Sequence, residues 1–320
     1  MDYDSIALPT ELSRQLNYSL IYLPFKKNQA ENKKKSVFLL IPSSLIKIEQ
    51  LFQSKTFKTF YWKTVKSRLK NLQKVLYCFI MMNREILIIT DSHLTEHCPE
   101  RTVFRFLLEK ISESDYDVLF LGDIFDIWIG CKGYETSVHR EFMEWCSKEK
   151  NKRKLWYIEG NHEFFIHRNR SGYFTEVFQD FALLDGNVLF AAHGDRVNHH
   201  DKAYAFLRGL LRNPVSYFVL KLFGYTGFGS SFSGKVRKDL QRTNQKQRFY
   251  FPETELKELD QSLQSGGVES AVLGHFHHNR VSGNITVLEN FTEENATVGL
   301  YKSGNGIEYK TVRDLFGEWK

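Results

Sequence analysis

The chain has 320 residues, 42% of them hydrophobic and 26% charged, a balance that fits a soluble globular protein with a real core. Its net charge of +6 is uneven: residues 1–80 hold fourteen Lys/Arg against five Asp/Glu, and the remainder thirty against thirty-three, so the body of the chain carries no basic nucleic-acid signal. The four cysteines lack CxxC spacing, Met1 is followed by acidic residues, and no run reaches the ~18 apolar residues of a membrane span; together these predict a cytoplasmic protein with reduced thiols and no signal peptide.

Residues 1–80 alternate apolar patches such as VFLLIPSSLIKI with Lys-rich runs such as KKNQAENKKK, and contain none of the 20 glycines. Compact domains generally use glycine in turns. Met81 and Met82 stand directly before a strand-like run. Residues 1–80 are therefore expected to be a basic N-terminal extension of unknown role, or the product of an upstream translation start. A basic helical segment on a membrane surface is the other reading. Residues 81–320 are expected to form the main domain.

From Met81 onward, apolar runs of strand length occur at 85–90, 118–122, 155–160, 187–195 and 270–276, then at 285–290, 296–301 and 307–312. Two helical stretches intervene. Pro99 to Ser112 sets Val103, Phe106, Leu107 and Ile111 on one face, and Val138 to Ser147 does the same with Phe142, Trp145 and Cys146. Alternating strand and helix predicts an α/β domain with buried sheet and outer helices. The closing strands, with no helices between them, predict an antiparallel flank.

The polar clusters fall at the ends of the apolar runs. They are Asp91 and His93; Asp123 and Asp126; Asn161, His162 and Glu163; His193 and Asp195; and His275 and His277. One such cluster alone is most simply a turn or a hydrogen-bonded loop. Five in succession put carboxylate, imidazole and carboxamide groups at the carboxyl ends of strands, where sites gather in α/β sheets. Crowded buried ionisable groups call for a compensating cation. The mixed N/O donors, without cysteine, point to manganese, iron or zinc. A shared carboxylate can bridge two ions about 4 Å apart, which together activate water and neutralise a phosphoryl group. Gly122, Gly160, Gly194 and Gly274 are expected to make sharp turns beside these groups.

In this order, Asp-x-His, Gly-Asp-x-x-Asp, Gly-Asn-His-Glu, His-Gly-Asp and Gly-His-x-His resemble the calcineurin-like metallophosphoesterase family over about 81–301. The resemblance implies an αββα sandwich of two sheets flanked by helices, with a dinuclear metal site. It implies Asp91, His93 and His277 on one ion, Asn161, His193 and His275 on the other, and Asp123 bridging. It further implies that His162 contacts phosphate and protonates the leaving oxygen, while Asp126, Glu163 and Asp195 orient the ligands. Two divalent cations follow, manganese by preference, with iron or zinc as alternatives.

His275 comes 82 residues after His193, far beyond one crossover. Lys202 to Tyr250 holds ten Lys/Arg, one acid and ten Phe/Tyr. A helical lid at about 199–262 is expected over the site, apolar enough for a greasy substrate and basic enough for phosphate. An exposed basic hairpin packing its aromatics on the core, or a single-strand nucleic-acid groove, are the alternatives. LGDIFDIWIG with HGDRVNHHDKAYAFLRGLLRNP resembles the family's UDP-2,3-diacylglucosamine diphosphatase branch, at Trp128, Asp201, Tyr204, Arg208 and Pro214. That resemblance implies substrate contacts at His162, Asp201, Arg237 and Asn244, although His162 stands where the branch typically has Arg. It implies hydrolysis of a lipid-linked nucleotide to UMP and an acylated sugar 1-phosphate in lipid A biosynthesis, at the cytoplasmic face of the inner membrane, with neither nucleic acid nor an obligatory protein partner. A phosphodiesterase or phosphatase acting on nucleotides or nucleic acid is the catalytic alternative. A non-catalytic scaffold of the same fold is the other, and it would be marked by lost ligands; none of the seven positions is missing.

Overall fold

The computed structural model describes residues 18–23, 37–42, 84–198, 202–225 and 251–319, and the chain divides into two units, Met1–Cys78 and Phe79–Lys320. In the first, β1 (Tyr18–Leu23) pairs antiparallel with β2 (Val37–Pro42), from Tyr18↔Pro42 to Leu23↔Val37. The described part of residues 1–80 is thus strand, where the membrane-surface reading expected helix.

In the second unit, β3 (Ile86–Ile89), β4 (Asp117–Phe120), β6 (Leu155–Ile158) and β8 (Glu176–Phe178) run parallel. Between them lie α1 (Glu100–Ser112), β5 (Trp128–Ile129), α2 (Ser137–Glu149), β7 (Glu163–Phe164) and α3 (Ile166–Asn169). The second half supplies β9 (Phe181–Leu184), β10 (Leu189–Ala192), α4 (Lys202–Leu211), α5 (Pro214–Tyr225), α6 (Glu253–Ser265) and β11 (Ser270–Leu273). It closes with β12 (Arg280–Ser282), β13 (Ile285–Val287), β14 (Thr297–Lys302), β15 (Gly306–Thr311) and α7 (Val312–Phe316). One sheet has six strands in the order β15-β14-β3-β4-β6-β8, the other five in the order β12-β13-β11-β10-β9, and β5 with β7 forms a two-stranded parallel pair.

The side-chain period of two in a strand explains the layers. Leu87, Ile89, Val118, Phe120, Leu155 and Tyr157 face outward onto α1, α2 and α7. Their neighbours Ile86, Ile88, Leu119, Leu121, Trp156 and Ile158 face inward, against Leu184, Leu189, Ala191 and Val272 of the other sheet. Beyond that sheet, Ala271, Leu273, Ile285 and Val287 meet Leu256, Leu259 and Leu263 of α6. The result is helix, sheet, sheet, helix: the αββα sandwich that the motifs implied. Strands buried on both faces read as unbroken apolar runs, and each fully buried Leu or Ile contributes about 1.5–3 kcal/mol.

Several boundaries differ from expectation. On α1 the buried face includes Phe104 and Leu108, while Phe106 is only partly buried. Residues 253–262, assigned by sequence to the lid, belong to α6 and pack on the five-stranded sheet. The rest of that insertion begins with an α4–α5 hairpin. Asn213 caps α5 by accepting from the Ser216 amide at 2.9 Å, and Pro214 occupies the first helical turn, where its missing N–H costs nothing. The hairpin's root is fixed: Leu220 packs with Ile127, Ile129, Phe164 and Phe165, and the Tyr134 hydroxyl donates to Leu220 O at 2.9 Å. Among the described residues no helix is long and apolar enough to cross a membrane.

Candidate metal centre

Five strands end at the same place. Asp91 and His93 follow β3, Asp123 and Asp126 follow β4, Asn161 to Glu163 follow β6, His193 and Asp195 follow β10, and His275 and His277 follow β11. All five are parallel strands presenting their carboxyl ends, with β3, β4 and β6 in one sheet and β10 and β11 in the other. Beyond the strands the chain turns sharply. Asp91, His93, Asp123, His275 and His277 all have positive φ, between 42° and 70°, which is uncommon for non-glycine residues. Of the four neighbouring glycines, Gly122 and Gly194 adopt positive φ (+86° and +111°). The other two are needed for room: a Cβ on Gly160 would lie 2.3 Å from Asp123 Oδ1, and one on Gly274 would lie 2.5 Å from Asp91 Oδ2.

The side chains converge in two groups that share a neighbourhood, and a third, His93 with Asp126 and His162, overlaps the first. In the first, Asp91 Oδ1 lies 3.3 Å from His277 Nε2 and 3.9 Å from His93 Nε2, and the two imidazole nitrogens are 3.4 Å apart. Asp91 Oδ2 is held from behind by the Thr90 hydroxyl at 2.7 Å and the His275 amide at 2.8 Å. In the second, His193 Nε2 lies 3.4 Å from Asp123 Oδ2 and 3.1 Å from Asn161 Oδ1, and His275 joins Asp123 and His193. His193 Nδ1 faces Leu121 O at 2.9 Å; with the proton on that nitrogen, the Nε2 lone pair points into the site. Asp123 also reaches His162, its Oδ1 accepting from the His162 amide at 2.9 Å and its Oδ2 lying 3.8 Å from His162 Nε2. His162 Nδ1 lies 2.5 Å from Asp126 O, which leaves its Nε2 edge facing the cluster. Asp91, Asp123, Asn161, His162 and His193 are buried, while His93, His275 and His277 are part-exposed and form the open side.

These groups fit a divalent cation on their own chemistry. Asp91 Oδ1 is buried and accepts no hydrogen bond, yet two imidazole nitrogens aim at the same point. His193 Nε2 and Asn161 Oδ1 present lone pair to lone pair once Nδ1 carries the proton. Burial pulls the His193 imidazole down, but the Asp123 and Asp91 carboxylates outweigh it and hold its pKa well above the ordinary value. His93 goes the other way, to about 3, through burial and then the charge of His162. A cation replaces that arrangement and leaves each imidazole neutral as a ligand.

Behind the ligands stands Glu163, completely buried. Its carboxylate accepts from the amides of Asp123, Ile124 and Gly160 at 2.8, 2.9 and 2.8 Å, and from the Tyr157 hydroxyl at 2.9 Å. It therefore ties the β4 and β6 loops together. Burial, followed by the Asp123 charge, lifts its pKa to about 7. Asp195 turns away from the cluster and accepts from the Tyr204 hydroxyl at 2.5 Å and Arg208 Nε at 2.9 Å, which moors α4. Sequence reasoning singles out neither Thr90, Tyr157, Glu159 nor Arg212. Thr90 sits one residue before the Asp-x-His motif, a position from which it could have been found. Asp201, Arg237 and Asn244 lie outside the described residues.

The α4–α5 hairpin beside the site carries a row of exposed apolar side chains, among them Phe206 (74%), Val215 (71%), Phe218 (66%) and Leu222 (56%).

Residues 84–279 match the family described as calcineurin-like phosphoesterase. Curated relatives carry the name UDP-2,3-diacylglucosamine hydrolase. The chain is 26% identical to one from Pseudomonas fluorescens over 201 residues, 60% of this chain and 78% of that protein. It is 31% identical to one from Stutzerimonas stutzeri over 144 residues, covering 42% and 58%. It is 26% identical to one from Pseudomonas paraeruginosa over 199 residues, covering 60% and 81%.

Proposed function

We propose, for a chain that belongs to the calcineurin-like phosphoesterase family and is thereby a metal-dependent phosphoesterase, that its site holds two divalent ions and cleaves the pyrophosphate of UDP-2,3-diacylglucosamine. Asp91, His93 and His277 would hold one ion and Asn161, His193 and His275 the other, with Asp123 available to both. Manganese suits this N/O donor set. Bound there, the ions supply Lewis-acid stabilisation of the phosphoryl oxygens and activation of water.

The chain's own groups do the rest. Asp91 and Asp123 enter the site pre-oriented by the Thr90 hydroxyl and by the His275 and His162 amides. His162, steered by Asp126 O, turns Nε2 toward Asp123 Oδ2 at 3.8 Å. Burial disfavours its imidazolium, but Asp123 and then the Asp126 carbonyl favour it, and the net shift is upward. With a proton on Nε2, His162 is placed to donate to the departing oxygen. Water adds to the α-phosphorus, the bond from that phosphorus to the bridging oxygen breaks, and UMP and 2,3-diacylglucosamine 1-phosphate leave.

The observation that carries the substrate reading is the exposed apolar row on the α4–α5 hairpin, moored to the site through Asp195. A soluble nucleotide has no use for such a surface, whereas acyl chains do. The names of the relatives support the same substrate. On this reading the protein works at the cytoplasmic face of the inner membrane, where its lipid-linked substrate lies.

The test is hydrolysis by the purified full chain with manganese. UDP-2,3-diacylglucosamine, deacylated UDP-glucosamine and bis-p-nitrophenyl phosphate are compared. Preference for the acylated nucleotide is expected. Equal turnover of the deacylated one would refute the lipid substrate and favour a nucleotide phosphodiesterase, and turnover of the p-nitrophenyl diester alone would leave only the reaction class.

A further inference from the structure

The turn bearing Asn161 and His162 is bracketed by two carbonyls, Gly160 O and Glu163 O. Both accept from a single nitrogen, Nη2 of Arg212, with Glu163 O at 2.9 Å. Nη1 of the same side chain lies 3.7 Å from Glu159 Oε2 and donates to Gln179 O at 3.4 Å. The guanidinium also lies over the Phe164 ring, 5.8 Å from its centroid. Glu159 is fully buried, and its Oε2 accepts no hydrogen bond; its Oε1 faces both the His167 amide and His167 Nδ1 at 2.9 Å, which leaves Arg212 as the cation on the Oε2 side. Arg212 is therefore both the facing charge for a buried carboxylate and a clamp across the metal-site turn. Yet it belongs to neither sheet: it sits at the bend between α4 and α5, with only 8% of its side chain exposed.

We infer that Arg212 is a positioning residue that holds the Gly160–Glu163 turn so that Asn161 and His162 face His193 and Asp123. The seating of the hairpin and the geometry of the metal centre are thereby one property. This rests on the reading that Asn161 and His162 serve the dinuclear site. The geometry favours arginine specifically. A planar guanidinium reaches two carbonyls and a carboxylate at once, whereas a lysine ammonium supplies charge without the fork.

The experiment uses the full chain with manganese and bis-p-nitrophenyl phosphate, which has no acyl group to meet the hairpin. R212M is expected to lower kcat by about 10–100-fold, the usual effect of removing a group that orients a ligand, with KM changed less than about two-fold. A manganese titration should show one of the two ions bound about 10–100-fold more weakly. R212K should recover part of both. Should R212M not fold by circular dichroism, the double variant E159Q/R212M removes the stranded buried charge and is expected to show the same kcat loss. Wild-type kcat and manganese binding in a folded Arg212 variant overturn the inference, as does a change confined to KM for the acylated nucleotide, which would make Arg212 an anchor of the hairpin only. N161A separates the two readings: if N161A keeps both ions and full activity, the site assignment has failed; if it loses them while R212M does not, the positioning role has.

Discussion

Gly274→Ala is a one-methyl test of the metal centre. The backbone at Gly274 is not left-handed, so alanine brings no φ penalty, and the whole effect is steric. The added Cβ would stand 2.3 Å from Thr90 Oγ1 and 2.5 Å from Asp91 Oδ2, against ordinary contact from 3.4 Å upward. Relief requires the Asp91 carboxylate, with the hydroxyl that holds it at 2.7 Å, to retreat by roughly 1 Å, and a misplacement of that size costs on the order of 10²-fold in rate. Overpacking of this kind also destabilises by about 1–3 kcal/mol, which for a domain of this length lowers Tm by roughly 2–12 °C. The assays are hydrolysis of bis-p-nitrophenyl phosphate at saturating manganese, a manganese titration and a thermal melt. Gly209→Ala is the control: it lies in α4, where an added Cβ would meet nothing within 4 Å, and it should leave activity unchanged and gain about 0.5–1 kcal/mol. Wild-type kcat and manganese affinity in G274A would refute the claim that the Asp91 carboxylate, in this position, holds an ion.

Glu163→Gln keeps the shape but puts an NH2 in place of one carboxylate oxygen, so that it faces either the Asp123 and Gly160 N–H groups or the Ile124 N–H and the Tyr157 hydroxyl. Manganese affinity should fall about 10–100-fold and stability by about 1–3 kcal/mol per stranded donor, read by titration and thermal melt. Chelation should lower Tm without unfolding the protein. Restoring manganese to 100 times its Kd returns about 2.7 kcal/mol, or roughly 5–11 °C; an unchanged melt would refute occupancy of the site. Phe206→Ser with Phe218→Ser alters side chains 74% and 66% exposed. It should leave Tm and p-nitrophenyl diester turnover unchanged and raise KM for the acylated nucleotide, whereas an unaltered KM would remove the hairpin from substrate binding.

The candidate ligands are legible in the sequence because each lies within a few residues of an apolar run. A strand end followed by Asp-x-His or His-x-His is a local pattern, and five of them in order identify the layers as well. Arg212 is not legible, because its partners are backbone carbonyls 52 and 49 residues away, and carbonyls leave no mark on residue type. Strands β5 and β7, two residues each, are too short to show a period. Periodicity misplaces the phase of α1 at Phe106 because the three-residue step from Val103 admits Phe106, whereas the buried face is centred on Phe104, Leu107, Leu108 and Ile111. The position of α6 inside a long insertion suggests lid, although Leu256, Leu259 and Leu263 have the three- and four-residue spacing of a helix packed on a sheet.

What the motifs do not disclose is how their backbone is held. Positive φ at Asp91, His93, Asp123, His275 and His277 costs about 1–2 kcal/mol per residue, so on the order of 5–10 kcal/mol in all, comparable to the net stability of a typical domain. Such strain persists only where surrounding structure over-determines it. Here the loops restrain one another. The Asp91 amide donates to Gly122 O at 3.1 Å, the His93 amide to Asp123 O at 3.0 Å and the Gly274 amide to His193 O at 2.9 Å, while Glu163 fastens the β4 loop to the β6 loop. None of these bonds involves a cation. The loops that carry the candidate ligands are thus tied to one another by backbone hydrogen bonds, and chelation should shift the melt by a finite amount and not abolish it.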